Sequence, residues 1–485
     1  MRGRALQVPG HACATGWPVR TAIGVLAASA DAAGRHRRLP RGGRPRLPPR
    51  AATAMQFVPW RRGVGMHAAV VDPIHRRRFL AAAAGGAALT LLPMAGRAAA
   101  PVRDDPRWIP SDAFLATLPE WMRAFGVPGV AIAVVEQGEL AWHRGFGVAD
   151  VESGAPVDAD SVFECASLSK PVFAYLVLQL VDAGALQLDR PLVDYHRPDF
   201  LADDDPQLAR ISVRDVLRHS SGLPDWRAHP DRDPLRTLVA PGQRVNYSGE
   251  AFFWLQRVVE TVTGQSLDQL ARERLFGPAG MQGSTYTWNA HAARHSVVGV
   301  PAPGARPGVQ TFGAQWPLLQ PLAEARGKPL SDWTWDDAVQ ALPQAQAVAP
   351  AGMFVWPGDL LANAAASLRG PVQDYARFIA HVMQHPARQD WEIAEATRQA
   401  MLAPQLAVRP GWLDKGLGWN LERVDGGNRW FFHGGSNAGR YKTFAVGDPQ
   451  HGRGLVVMTN GGGGTGVYQR IVRAATGRDM LAFDL

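Results

Sequence analysis

Residues 130–135 form an unbroken apolar run, introduced by Val127-Pro128-Gly129 and closed by Gln137-Gly138. Over 139–148 apolar residues alternate with polar ones, Trp142 and Phe146 falling on one parity. The pair reads as a buried strand and its half-buried return strand, joined by a tight turn. Helical patterns then dominate from Pro171 to about Ala403, with clear apolar runs over 172–186 and over 252–262, the latter closing at Thr263-Gly264. Strand signals resume at 416–421, 430–432, 441–446 and 454–459, and a final helix is expected over 467–475. Strands at both ends with helices between them predict an α+β fold: an antiparallel sheet flanked by helices, with a large helical region inserted between its first and last strands. Both ends must meet to complete the sheet, so 101–485 is expected to be one unit. Within it, 288–357 is rich in Pro, Gly, Gln and Trp and longer than an ordinary connection. It is expected to elaborate the substrate cleft, with Trp316, Trp333, Trp335 and Trp356 either as pocket walls or as plain packing residues.

The amino-terminal hundred residues change the reading of charge. The chain of 485 residues carries a formal +8, but residues 1–100 hold 16 Arg against 2 Asp. The remainder, with 35 basic and 41 acidic residues, is mildly acidic, which removes the main support for nucleic-acid binding. Residues 1–65 have the composition of a leader that cannot bury a core, and Met55 and Met66 are alternative starts. Over 66–100, Arg76-Arg77-Arg78-Phe79-Leu80, a short apolar run and Gly96-Arg97-Ala98-Ala99-Ala100 describe an export signal of the twin-arginine type. The run is too short to span a bilayer. The expected location is therefore periplasmic or secreted, with the membrane met only during export. Of the two cysteines, Cys13 lies in the leader, leaving Cys165 as a small buried hydrophobe without a disulfide partner. The fourteen histidines show no metal-ligand spacing, and neither metal nor cofactor is expected.

Chemistry enters at Ser167-Leu168-Ser169-Lys170. Residues i and i+3 share a helix face, so the amine of Lys170 can sit beside the Ser167 hydroxyl, a weak nucleophile until a neighbour activates it. Only four lysines occur in 101–485, at 170, 328, 415 and 442, which makes one at this position informative. Pro171 is tolerated only in a helix's first turn, so Ser167 is expected at a helix start. Further along stand Tyr247-Ser248-Gly249 and His433-Gly434-Gly435-Ser436-Asn437, the latter before the strand at 454–459. This order resembles the serine β-lactamase and penicillin-binding-protein superfamily, in its class C-related branch. His219-Ser220-Ser221-Gly222-Leu223-Pro224 and Asn363-Ala-Ala-Ala-Ser367 with Asp374-Tyr375 are similar to later segments of that branch.

The resemblance implies a serine hydrolase with Ser167 as nucleophile and Lys170 and Tyr247 as the two base candidates, between which the sequence does not choose. It also implies an oxyanion site from the backbone N–H groups of Ser167 and Ser436, with Gly434 and Gly435 leaving room for substrate. Two positions depart from the family pattern. His433 stands where a lysine often binds a carboxylate, so anion binding there is expected to weaken as pH rises from 6 to 8. Gly249 stands where an asparagine often orients an acyl-amide. The expected function is hydrolysis of small esters or amides, D-amino-acid peptides among them, through an acyl-enzyme. The alternatives are a β-lactamase or D,D-carboxypeptidase, and a penicillin- or peptide-binding module with negligible turnover. The glycine run 461–466 contains G-x-G-x-x-G, but too little chain follows for a dinucleotide fold, and it reads as a strand-to-helix turn.

Overall fold

The computed structural model describes residues 107–302, 313–383 and 389–484; the leader, the export-signal stretch and Cys13 lie outside them. Arg97–Leu485 forms one compact unit. In chain order it holds α1 (Asp112–Ala124), β1 (Gly129–Glu136), β2 (Glu139–Gly147), β3 (Phe163–Glu164), α2 (Ser169–Asp182), α3 (Val213–Leu217), α4 (Gly249–Thr263), α5 (Leu267–Ala271) and α6 (Ala290–His295). There follow α7 (Trp316–Ala325), α8 (Trp335–Val348), β4 (Arg369–Gly370), α9 (Val372–Met383) and α10 (Glu395–Met401). The chain closes with β5 (Leu406–Arg409), β6 (Leu413–Lys415), β7 (Asn420–Arg423), β8 (Arg429–Asn437), β9 (Tyr441–Asp448), β10 (Arg453–Thr459) and α11 (Gly464–Thr476).

Eight strands make one antiparallel sheet in the order β2-β1-β10-β9-β8-β7-β6-β5, so the first hairpin pairs directly with the last strand. The helical region is thus inserted between neighbours in the sheet. β1 is apolar from Gly129 to Val135 because both its faces are covered there. Val130, Ile132 and Val134 pack with residues of α1 and α11, whereas Ala131, Ala133 and Val135 pack with α2, α4 and α9. β2 is the sheet edge, which accounts for its alternation.

α2 is the central helix of the second layer, buried from Ser169 through Leu180, and a helix apolar all round belongs in a core. α4 starts at an N-cap, Ser248, whose hydroxyl accepts from Ala251 N at 2.9 Å, and ends at Gly264 with φ of 69°.

Three expectations need correcting. The strand expected over 416–421 is two short strands, β6 and β7, with the turn 416–419 between them. Gly418 has φ of 85° there, and a Cβ on it would lie 2.5 Å from Ala174 Cβ, so the turn needs glycine to pack on α2. β5 has no counterpart among the strands that the pattern predicts. Of the four tryptophans, Trp316 and Trp333 are fully buried in a separate core shared by α7 and α8, and are packing residues. Trp335 and Trp356 do line a cleft, of about 470 Å³, with Phe200 and Arg227. Its walls do not include Ser167, Lys170 or Tyr247. The glycine run before α11 is a close-packed turn: a Cβ at Gly463 would lie 2.0 Å from the Phe125 carbonyl oxygen.

Candidate active site

Ser167 lies in a short 3₁₀ turn, Ala166–Leu168, immediately before α2 rather than within the helix's first turn. Pro171, two residues into α2, sits in that first turn. The turn is tight: Ala166 is fully buried yet has φ of 51°, a left-handed conformation costly for a residue with a side chain. Surrounding groups hold it there. Ser169 Oγ donates to the Ala166 carbonyl at 2.5 Å, Tyr375 Oη to Leu168 O at 3.0 Å and Tyr286 Oη to Ser169 O at 2.8 Å.

The structure brings together the three residues named for catalysis. Tyr247 Oη lies 2.8 Å from Ser167 Oγ, and Lys170 Nζ lies 3.3 Å from the same oxygen. Lys170 Nζ also donates to the Ala365 carbonyl at 2.9 Å, inside the Asn363–Ser367 segment, and stands 4.5 Å from the centroid of the Tyr247 ring. Burial pulls the Lys170 amine down to about 7; Asp225 opposes this and Lys415 adds to it. Tyr247 moves the other way. Burial of its hydroxyl end raises the phenol above its ordinary range, with the Ser167 hydrogen bond opposing and Asp225 reinforcing. Near neutral pH the amine can accept a proton, whereas the phenol holds its own.

β8 runs past this turn. Gly435 is pressed so closely on it that a Cβ would lie 2.3 Å from Thr443 Oγ1 and 2.8 Å from the Cys165 carbonyl oxygen. Thr443 Oγ1 itself donates to that carbonyl at 2.9 Å, and Asn437 Nδ2 donates to Glu164 Oε2 at 2.8 Å. These contacts hold the Gly434–Ser436 segment beside Ser167. β7 pairs with β8 only as far as Phe432, leaving residues 433–437 without a strand partner on that side among the described residues. Ser436 Oγ accepts from Lys442 Nζ at 2.7 Å. By strand alternation this pair shares a face with Phe432 and Phe444, opposite to His433.

His433 does not have the character expected of a partly protonated anion ligand. Its ring is 3% exposed, Nδ1 lies 2.7 Å from the Gly434 carbonyl and Nε2 has no hydrogen-bond partner among the described residues. Burial, then the Lys170 and Lys415 charges, hold its pKa down at about 3. The imidazole is neutral across the physiological range. Gly249 has a local reason to lack a side chain: a Cβ there would lie 2.2 Å from Trp226 Cζ2. The indole, 43% exposed, fills the place where an asparagine would point.

With this geometry in place, the comparison with known families is decisive: a model of the family described as Beta-lactamase matches residues 114–478. The chain belongs to the beta-lactamase family. It is 29% identical over 378 residues to penicillin-binding protein 4 of Amycolatopsis lactamdurans, covering 72% of this chain and 85% of that one. It is 28% identical over 331 residues to esterase EstB of Burkholderia gladioli, covering 61% and 76%. Among solved structures it is similar to a class C beta lactamase from Rhodobacter sphaeroides, with a TM-score of 0.57 at 16% identity over 75% of this chain and 98% of that one. As a member of this family the chain is a serine hydrolase with a class C-related fold.

Several residues around the beta-lactamase-type centre are given no role by sequence pattern. His219, with φ of 56°, stacks on Tyr247 at 4.4 Å between ring centroids, and its Nδ1 accepts from Ser248 N at 3.4 Å. Asp225 accepts Gly249 N at 3.0 Å, fixing the start of α4. Lys415, on β6, is buried and places its ammonium 6.0 Å from the Tyr247 ring centroid. The rarity of lysine is the available signal for it, since two of four lysines flank one phenol. Among the described residues no cluster of three or more metal-ligating side chains occurs.

Proposed function

We propose that this hydrolase acylates Ser167 with carboxylate-bearing peptides of the D-alanyl type, or with β-lactams, as a D,D-peptidase or penicillin-binding protein does. The carrying observation is the Ser167 oxygen held between the Tyr247 hydroxyl at 2.8 Å and the Lys170 amine at 3.3 Å. In the proposed step Lys170, as free amine, takes the Ser167 proton while Oγ forms a bond to the substrate carbonyl carbon. The carbonyl electron pair moves onto oxygen, facing the N–H groups of Ser167 and Ser436. Collapse expels the leaving amine, which takes the Tyr247 proton as Lys170 returns its own to the phenolate. Water repeats the sequence to release the acid. Losing one oxyanion donor in such a site costs about 2.7–4 kcal/mol of transition-state stabilisation.

Carboxylate-bearing substrates rank above small esters, reversing the expectation from sequence, because His433 is not the site's only basic group. Lys415 gives it a positive character that sequence pattern assigns to the imidazole. The extended similarity to a penicillin-binding protein supports the same order. A small-ester hydrolase is the second reading, favoured by Gly249 and the apolar Trp226 surface in the amide-orienting position, and by the similarity to an esterase. Export to the periplasm or beyond is part of the proposal and rests on the Arg76-Arg77 run. Fractionation with Arg76 and Arg77 replaced by Lys tests it, cytoplasmic retention being expected.

A panel of a chromogenic cephalosporin, D-alanyl p-nitroanilides and p-nitrophenyl acetate separates the readings. Steady turnover of the D-alanyl substrate, or a one-equivalent cephalosporin burst, is expected. Turnover of the acetate alone would favour the esterase.

A further inference from the structure

Lys415 is a buried ammonium, 7% exposed, at the end of β6. Its side-chain hydrogen bond goes to Asn420 Oδ1 at 2.5 Å, a neutral acceptor. No carboxylate among the described residues pairs with it. Burying a cation without an anion is costly, and an apolar side chain at this position would avoid the cost. The chain is also strongly biased to arginine: all but four of the 35 basic residues in 101–485 are Arg. Both buried cations beside the Tyr247 ring are nevertheless Lys, at 4.5 Å for Lys170 and 6.0 Å for Lys415. Arginine stays charged, whereas a buried lysine titrates near neutrality. Two titratable amines on one phenol point to proton handling rather than packing.

We propose that Lys415 is a positioning residue whose ammonium, fixed beside the Tyr247 ring by Asn420, makes Lys170 the proton acceptor for Ser167. The inference rests on Ser167 being the nucleophile. The charged or titratable groups facing Lys170 are Tyr247 and Asp225 on the loops before α4, His219 after α3, His433 on β8 and Lys415 on β6. His219 and His433 are both held neutral, burial being the main cause. That leaves Lys415 as the cation that repels a proton from Lys170 and Asp225 as the anion that attracts one. Burial brings Lys415 down to about 8, against about 7 for Lys170. Between those values Lys415 keeps most of its charge while Lys170 is mostly free to accept a proton.

The test is the pH profile of kcat/KM with p-nitrophenyl acetate, a neutral ester, for wild type, Lys415→Met and Lys415→Arg. For Lys415→Met the acid limb is expected to move up by about one pH unit, the scale of a nearby charge at intermediate dielectric. Activity at pH 7 should then fall about fivefold and at pH 9 stay within about twofold of wild type. For Lys415→Arg, which keeps the charge, the acid limb should stay near 7. A uniform loss in Lys415→Met with no movement of the acid limb would show that Lys415 only packs, and unchanged profiles in both variants would show a spectator; either result overturns the proposal. If Lys415→Met does not fold, by circular dichroism, Lys415→Gln takes its place, with the same expected move of the acid limb. Fluorophosphonate labelling of Ser167→Ala separates the two levels: label retained there removes the nucleophile itself, whatever the Lys415 variants do.

Discussion

Lys170 and Tyr247 touch the same oxygen, and their environments push them in opposite directions. Lys170 is moved into the range where an amine can act as a base, whereas Tyr247 is moved away from it. Acylation should therefore increase as pH rises through about 7, as Lys170 loses its proton. Lys170→Met should lower kcat/KM by at least about 10²-fold, the usual scale of a general-base contribution, and remove that acid limb. Tyr247→Phe should lower the rate by a comparable factor while leaving the limb in place; stopped-flow acylation across pH 5.5–9 checks both. A second residue-scale prediction concerns Gly249. Gly249→Asn should displace the Trp226 indole and cost about 1–3 kcal/mol, as overpacking does. Trp226→Ala in the same chain should recover most of it. Urea denaturation of the four members of that cycle measures the coupling, and additivity of the two changes would mean that the residues do not share this space.

The nucleophile's position depends on elements more than on its own neighbours in sequence. The Ala166–Leu168 turn is pinned by hydroxyls from Tyr286 and Tyr375, and α2 behind it is buried throughout. Leu176→Ala should cost about 2–5 kcal/mol, by lost transfer energy and the cavity left behind, and be read as a lower urea midpoint with unchanged m-value. The run over 172–186 makes α2 legible, because it is too long for an ordinary strand and apolar enough for a buried helix. Pro171 marks the helix's first turn, but its burial is not legible, since Ser169 and Lys170 are polar residues buried by partners far along the chain. β5 to β7 are obscured for a different reason. They are short, and the glycines at 416 and 418 that read as strand are turn residues, packed on the Met401 carbonyl and on α2 respectively.

At the scale of the whole molecule, the antiparallel sheet with its helical insertion is legible because strands buried on both faces carry strong patterns at both ends of the chain. The order of S-x-x-K, Tyr-Ser-Gly and His-Gly-Gly-Ser likewise outlines the site. The electrostatics of that site depend on distant segments, so pattern alone presents His433 as a partly charged ligand and does not mark Lys415. Burial of neutral imidazoles has a consequence for the whole fold. His433 has a folded pKa of about 3 against 6.5 unfolded. The unfolded chain therefore binds the extra proton first, and stability is lost as pH falls from about 6.5 towards 3. Each such imidazole contributes a slope of up to about 1.4 kcal/mol per pH unit in that window; His219 acts in the same direction. His433→Gln should reduce the slope by about one imidazole's share, measured as urea stability at pH 6 and pH 4.5.

The central claim, that Ser167 is the acylated nucleophile of a Lys170-driven centre, is tested most directly by intact-mass spectrometry with peptide mapping after exposure to benzylpenicillin and to a fluorophosphonate. One adduct per chain is predicted, on the peptide containing Ser167, forming faster at pH 8 than at pH 6 and absent from Ser167→Ala. An adduct on another residue, or one that persists in Ser167→Ala at the wild-type level, would contradict the account.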